Sequence, residues 1–390
     1  MTIGIDASFL RKPGTGIGQV TEQTLRALGR LPGSAEHRFL LYLEEDTDIS
    51  FLPENFEKRV FLPRWTRDDV PRRILWERSL PVRVLSGGCE TFISMSQSSA
   101  VFPKGRVRHV MVVHDIIPFL FPAYRGRMTN RLHVARILHG IERADRIVAV
   151  SGATKRDLSL NLGIPEGRIS VAYPDCAPRF REPVTQAETD RVLGTYALSP
   201  GYLYHGGGLE VRKNTGRLLE AYAELRSRRG DVPPLVISGR VHSGRNPLAT
   251  DVGKELKRLG LGDSVRLLGF VPDADLPALY ASARAFLFPS LYEGFGLPIV
   301  EAMAVGTPVL AGFGAGSVPE VSGDAVLLVE PDKVDEIGKG IERLLDDDAY
   351  REALVSKGRE RVRAFSWETF ATGLIRVATD QPEHTNLADI

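Results

Sequence analysis

Cysteine is nearly missing: the 390 residues hold two, Cys89 and Cys176. They offer neither a metal-ligand spacing nor a disulfide framework, and they fit a reducing cytosol. A net charge is missing too. Fifty Lys and Arg against forty-nine Asp and Glu leave a formal +1. No global field recruits nucleic acid, so any anion site must be local. No apolar run approaches the length that spans a bilayer. The opening "MTIGIDASFL" enters a strand directly, without the charged-then-apolar pattern of an export signal. The expectation is a cytoplasmic protein, with peripheral contact at the inner face of the membrane left open.

What is present is a soluble globular balance, 43% hydrophobic and 25% charged, on a chain long enough for two cores. Short apolar strands alternate with amphipathic stretches. "TIGID", "RFLLYL", "TFIS", "RHVMVV" and "RIVAV" read as strands in the first half; "GYLYHG", "PLVIS", "SVRLLG", "AFLFP", "TPVLA" and "AVLLV" follow in the second. Such alternation predicts α/β architecture with parallel sheets. Both halves open as strand, glycine loop, helix, in "IGIDASFLRKPGTGIGQVTEQTLRAL" and "YLYHGGGLEVRKNTGRLLEAYAEL". Two Rossmann-like domains facing across a cleft are expected, joined within the turn-rich residues 172–186. Ligands in such sheets bind beyond the carboxyl ends of the strands.

The stretch "YEGFGLPIVEAMAVGTPVLAG" places Glu293 and Glu301 around two glycines and a proline. Pro298 suits the first residue of a helix running roughly from Pro298 to Val305, and Gly306 suits the residue past its end. Gly294 and Gly296 let backbone approach a ligand, so the amides of Phe295, Gly296 and Leu297 at the helix N-terminus form an anion site. The two carboxylates can each accept vicinal hydroxyls of a sugar or ribose. The alternative is that Glu301 complements the helix dipole and Glu293 is a solvated loop residue. "GGGLEVRKN" adds Arg212 and Lys213 at the start of the next helix; they read as diphosphate ligands or as ordinary surface charges.

These segments resemble retaining glycosyltransferases of the GT-B fold, family 4. "EGFGLPIVEAMAVGTPVLA" is similar to that family's E-x7-E signature. "GGGLEVRKNTGRLLEAY", "LLGFVPDADLPALYASARAFLFPS" and "FSWETFATGLIRVA" follow the family order across the second half, while "GIDASFL…GTGIG" and "VVHDIIPFLFP" anchor a looser likeness in the first. The resemblance implies that Glu293 holds donor-sugar hydroxyls, Glu301 the ribose, and Phe295, Gly296 and Leu297 the phosphates. Arg212 and Lys213 would stabilise the leaving nucleoside diphosphate, with Gly269, Phe270 and Val271 beside the base. Some relatives carry an arginine after the first glycine of the "GG" loop. Here Gly207 and Gly208 stand there, which shifts that work toward Arg212 and Lys213. The implied organisation is an acceptor-binding domain over 1–180, a donor-binding domain over 181–366, and over 367–390 a helix returning to the first domain, then a tail.

His114 ends the strand "RHVMVV", where catalytic groups of such sheets sit. It is a structural residue or, as the resemblance implies, a catalytic one near the donor sugar. His109 begins the same strand and reads as structural; Asp115 suits a turn cap. The loop "KPGTGIGQV" is not a dinucleotide fingerprint, since its third glycine comes one residue early. Its Gly16 is expected near the phosphates or the acceptor. "PDADLP" reads as a helix start capped by Asp273 rather than a metal pair, so neither metal nor cofactor is expected, the nucleotide diphosphate sugar being a substrate. "RWTRDDVPRRILWERSLPVRVL" and "FLFPAYRGRMTNRLHVAR" are basic-aromatic: solvated helix faces over buried tryptophans, or grips for lipid or a lipid-linked acceptor.

The expected activity is retaining, metal-independent hexosyl transfer, mannose from GDP-mannose first among donors, to a glycan or polyprenyl-linked acceptor in polysaccharide assembly. A sugar-nucleotide epimerase or hydrolase, or a non-catalytic nucleotide-sugar binder, stays open as an alternative.

Overall fold

Runs of β-branched and aromatic residues bounded by glycine, proline and polar turns form thirteen strands in a computed structural model, which describes residues 1–62, 65, 67–126, 128–240, 247–314 and 316–380. Residues 64, 66 and 127 of the two basic-aromatic stretches, and the tail after 380, lie outside the described residues. The chain folds as two units, Met1–Pro174 with Phe365–Ile390, and Asp175–Ala364.

The first unit holds one parallel sheet of seven strands: β1 (Thr2–Asp6), β2 (Arg38–Leu43), β3 (Phe56–Val60), β4 (Thr91–Ser94), β5 (Arg108–Val113), β6 (Arg146–Ala149) and β7 (Ile169–Val171). Their order is β3-β2-β1-β4-β5-β6-β7. The central strands are buried on both faces, which is why they read as unbroken apolar runs. β3 and β7 were not legible as strands. Both are edge strands, and β3 carries Glu57, Lys58 and Arg59 on an exposed rim, where Glu57 pairs with Arg38. Helix Trp367–Thr379, capped by Ser366, belongs to this unit. Its Ala378 carbonyl accepts from Thr91 Oγ1 at 3.1 Å, and Arg108 pairs with Asp380 at 2.6 Å.

The second unit holds a parallel sheet of six: β8 (Tyr202–His205), β9 (Leu235–Ser238), β10 (Val265–Gly269), β11 (Ala283–Phe288), β12 (Val309–Gly312) and β13 (Leu327–Val329), in the order β10-β9-β8-β11-β12-β13. Leu218, Tyr222 and Leu225 of one helix and Ile337, Ile341 and Leu344 of another bury against Leu203, Leu235, Leu287 and Leu310 of the sheet. In each sheet the strand order reverses between two adjacent central strands, β1 and β4 in one and β8 and β11 in the other. Such a reversal opens a crevice at the carboxyl ends, the usual ligand position in this architecture.

Trp76 and Trp65 part company. Trp76 is buried in helix Val70–Ser86 and donates to Asp6; Trp65 is exposed and donates to Asp69. Among the described residues no helix is long and apolar enough to cross a membrane.

Candidate active site

The reversal point of the second sheet is bordered by the loops that follow β8 and β11. His205 closes β8 and ties the crevice together: its Nδ1 donates to the Leu287 carbonyl of β11 (2.8 Å), leaving Nε2 to accept from Thr215 (3.0 Å). Burial holds its pKa down to about 4, so the ring is neutral. Gly207 and Gly208 follow with φ of 86° and 100°, a left-handed course open to glycine. A Cβ on Gly207 would stand 2.9 Å from Cγ of Pro298, so this loop lies close over the start of helix Leu297–Val305.

Arg212 and Lys213 fall in a short 3-10 turn, Val211–Lys213, one turn earlier than the expected helix, which runs Thr215–Arg228. Asn214 makes the join. Its left-handed backbone (φ 62°) ends the turn, and its amide donates to the carbonyls of Pro289 (3.1 Å) and Pro331 (2.6 Å). The loop after β11 is thereby held against it, an arrangement strengthened by Leu291 N donating to Arg212 O at 2.7 Å.

Glu293 then meets both cations. Lys213 Nζ lies 2.8 Å from Oε1 and Arg212 Nη1 2.9 Å from Oε2. Lys213 is 4% exposed and Glu293 5%, and the ammonium sits 4.5 Å from the centroid of Phe288. Neither a solvated loop carboxylate nor surface cations describe these groups. Burial by itself would raise the Glu293 carboxyl; the charges of Lys213 and Arg212 outweigh it and hold the group below its ordinary value. The carboxylate is therefore ionised. Arg212 also pairs with Glu210 at 2.6 Å, so the two cations and two carboxylates balance, and the positive field that remains is that of the helix N-terminus, worth about half a charge. That field favours an anion.

Glu301 lies inside helix Leu297–Val305, 4% exposed, and accepts from Tyr280 Oη at 3.1 Å. Burial raises its pKa to about 7, against the pull of the Tyr280 bond. The helix starts at Leu297, one residue before the expected Pro298, after Gly296 at φ 91°, and ends at Val305 before Gly306 at φ 96°, as the glycine placement predicts. Phe295 is buried. The Glu293 carbonyl accepts from Ser317 N (3.0 Å), which fixes the loop from its far side. At the end of β10, Gly269 has φ 69° and its carbonyl accepts from Gly239 N; Phe270 is 66% exposed and Val271 buried.

Asp273 does not cap the helix Leu276–Ala281. The N-cap position belongs to Asp275, whose side chain makes no cap bond and instead accepts from Arg191 (2.8 Å) and Tyr196 (2.9 Å), while Asp273 pairs with Arg179. An arginine and a tyrosine from a neighbouring helix take the place of a backbone cap. Among the described residues no group of three or more His, Cys, Asp or Glu is placed to hold a metal.

His114 and Gly16 belong to the first unit. His114 Nε2 donates to Met95 O at 2.8 Å, leaving Nδ1 unprotonated in the neutral ring, and burial lowers its pKa. His109 is buried against Ser94. Asp115 caps the next turn, accepting from Ile117 N at 2.9 Å. Gly16 is exposed at the start of helix Gly16–Arg30, and Thr15 caps it by accepting from Gly18 N. Gly18 of this loop must be glycine, since a Cβ there would stand 1.9 Å from Lys12 O.

Tyr280, Phe288, Asn214 and His205 escaped the sequence reading. Only Asn214 carried a signal, as an asparagine just before a helix, in the residue class that tolerates left-handed backbone.

Two family matches cover both units: residues 15–174 match Glycosyltransferase Family 4, and residues 198–361 match Glycosyl transferases group 1. O-antigen chain mannosyltransferase B of Escherichia coli is 37% identical over 275 residues, 70% of this chain and 70% of that one. The serotype-specific mannosyltransferase WbdA, also of Escherichia coli, is 32% identical over 266 residues; these are 67% of this chain but 32% of the relative, so the likeness spans about a third of its length. Among solved structures, sucrose-phosphate synthase from Thermosynechococcus elongatus superposes with a TM-score of 0.75 over 97% of this chain and 98% of that one, at 20% identity, which shows a shared GT-B fold. The chain belongs to glycosyltransferase family 4.

Proposed function

We propose that the chain is a retaining, metal-independent mannosyltransferase that takes mannose from GDP-mannose and delivers it to a hydroxyl of a glycan or polyprenyl-linked acceptor during polysaccharide assembly in the cytoplasm. The observation that carries this reading is the buried Lys213–Glu293 pair, joined by the part-exposed Arg212, beside the N-terminus of helix Leu297–Val305. In the proposed complex the amides of Phe295, Gly296 and Leu297 and the two cations take the diphosphate. Glu293 orients sugar hydroxyls, Glu301 the ribose, and Gly207 and the Gly269–Val271 turn border the nucleotide. The names of relatives favour the donor: O-antigen chain mannosyltransferase B, and a GDP-mannose-dependent mannosyltransferase of Corynebacterium glutamicum, 31% identical over 202 residues.

As the bond from C1 to the β-phosphate oxygen breaks, charge grows on the diphosphate, where Arg212 and Lys213 stabilise it. The acceptor oxygen bonds C1 from the same face, and its proton passes to the departing phosphate. Neutral His114 and the loop of Gly16, both of the first unit, take the catalytic and the phosphate- or acceptor-binding roles that the family resemblance implies. Exposed Leu75, Val82 and Leu85 on the arginine-rich helix Val70–Ser86 favour contact with the membrane surface that carries a lipid-linked acceptor.

Thermal melts with GDP, UDP and ADP test the donor base: GDP should raise the melting temperature most. Proton NMR of the product from GDP-mannose tests the rest; an inverted anomeric centre, or free mannose without any transfer, would defeat the proposal.

A further inference from the structure

The first unit carries a cavity that the donor machinery does not explain. It measures about 220 Å³ and lies beyond the carboxyl ends of β1 and β2, smaller than the roughly 300–1,000 Å³ of sites for larger ligands. Ser8, two residues past β1, lines it; the residue is 3% exposed and its Oγ has no hydrogen-bond partner among the described residues. Nδ1 of His133, on the same lining, is likewise buried and unpartnered. Buried polar atoms are seldom left so. Two on one cavity wall point to a ligand that brings its own donors and acceptors.

The charges say what that ligand is not. Arg11, Lys12 and Arg73 face Glu44, Asp68 and Asp69, three of each sign. The cations are already engaged: Arg11 with Glu44 (2.9 Å) and Asp68 (2.7 Å), Lys12 with Asp68 (2.5 Å), Arg73 with Glu77 (2.5 Å). A phosphate would have to displace these carboxylates and stay beside them. An uncharged polyol needs no such exchange, because each hydroxyl both donates and accepts. Phe9 and Val70 add apolar wall for the C–H face of a sugar ring.

We propose that this cavity binds the terminal sugar of the acceptor as an uncharged polyol, held by Ser8 and His133, and does not grip a phosphate or pyrophosphate. The proposal rests on the transferase reading above, which assigns the donor to the second unit.

The test is binding of methyl α-D-mannoside and of mannose 1-phosphate to the intact chain in saturating GDP, followed by saturation-transfer NMR. The glycoside should bind and the phosphate should bind at least about tenfold more weakly. Ser8→Ala and His133→Gln should each weaken the glycoside about five- to tenfold. Ser8→Ala removes a hydroxyl without a partner among the described residues, so its melting temperature should hold or rise, which a structural serine would not allow. No glycoside binding, equal binding by both variants, or preference for the phosphate overturns the proposal. Failure of the donor reading shows separately, as a GDP thermal shift that never comes, while the glycoside pattern still decides this one.

Discussion

Lys213 Nζ stands 2.8 Å from Glu293 Oε1 across 80 positions of chain, and both side chains are buried. Removing one partner leaves a buried charge short of its counter-charge. Lys213→Ala should therefore cost about 3 kcal/mol of stability, less whatever Arg212 compensates, and lower transfer by about 10²–10³. The pair Lys213→Met with Glu293→Leu should recover most of the stability and none of the activity. Denaturant melts and initial rates check both; a double variant no more stable than the single would refute the buried-pair account.

Glu301 should make stability fall as pH rises. Its pKa is about 7 in the fold against an ordinary 4.5, because burial disfavours the charge. Between those values the native state holds a proton that the unfolded chain has released. Stability from the protonated carboxyl is thus fully present below 4.5 and is lost as pH passes through 7, by roughly 3 kcal/mol. Glu301→Gln should flatten this contribution and gain on the wild type at pH 9 more than at pH 4. Urea melts at the two pH values would show the opposite trend if the carboxyl were held ionised.

Gly207→Ala and Gly208→Ala separate conformation from contact. Both positions have positive φ, worth about 1–2 kcal/mol against an L side chain. Only at Gly207 would the new Cβ also meet the ring of Pro298, at 2.9 Å, whereas Gly208 has open space. Gly207→Ala should weaken GDP binding by about tenfold or more and Gly208→Ala by less, as read by calorimetry. The reverse order would place the nucleotide elsewhere.

Transfer should proceed in EDTA at the rate seen with Mg²⁺. In the proposed mechanism Arg212, Lys213 and helix amides balance the diphosphate charge, leaving no task for a divalent ion. Activity lost on chelation and restored by Mg²⁺ or Mn²⁺ would contradict it.

The core strands of both sheets were legible because buried parallel strands are apolar on both faces, as in "RHVMVV" and "AFLFP". The edge strands β3 and β7 were not, since one-sided burial dilutes that signal. The helix Leu297–Val305 was legible at its end and to within one residue at its start, because proline and glycine restrict or free the backbone locally. The cap assigned to Asp273 was misread because the helix starts only at Leu276, which makes Asp275 the N-cap residue, and Asp273 pairs instead with the distant Arg179.

Sequence alone determined the alternation of strand and helix, the glycine turns and the residue types beside them, since these follow from backbone sterics and local periodicity. Only the tertiary structure decided which charges meet and which are shielded from water. Glu293 is an ionised anchor between two cations, while Glu301, eight residues on, is a buried carboxyl under Tyr280 with its pKa raised to about 7. The two have the same chemistry in isolation; burial and long-range partners set their protonation apart.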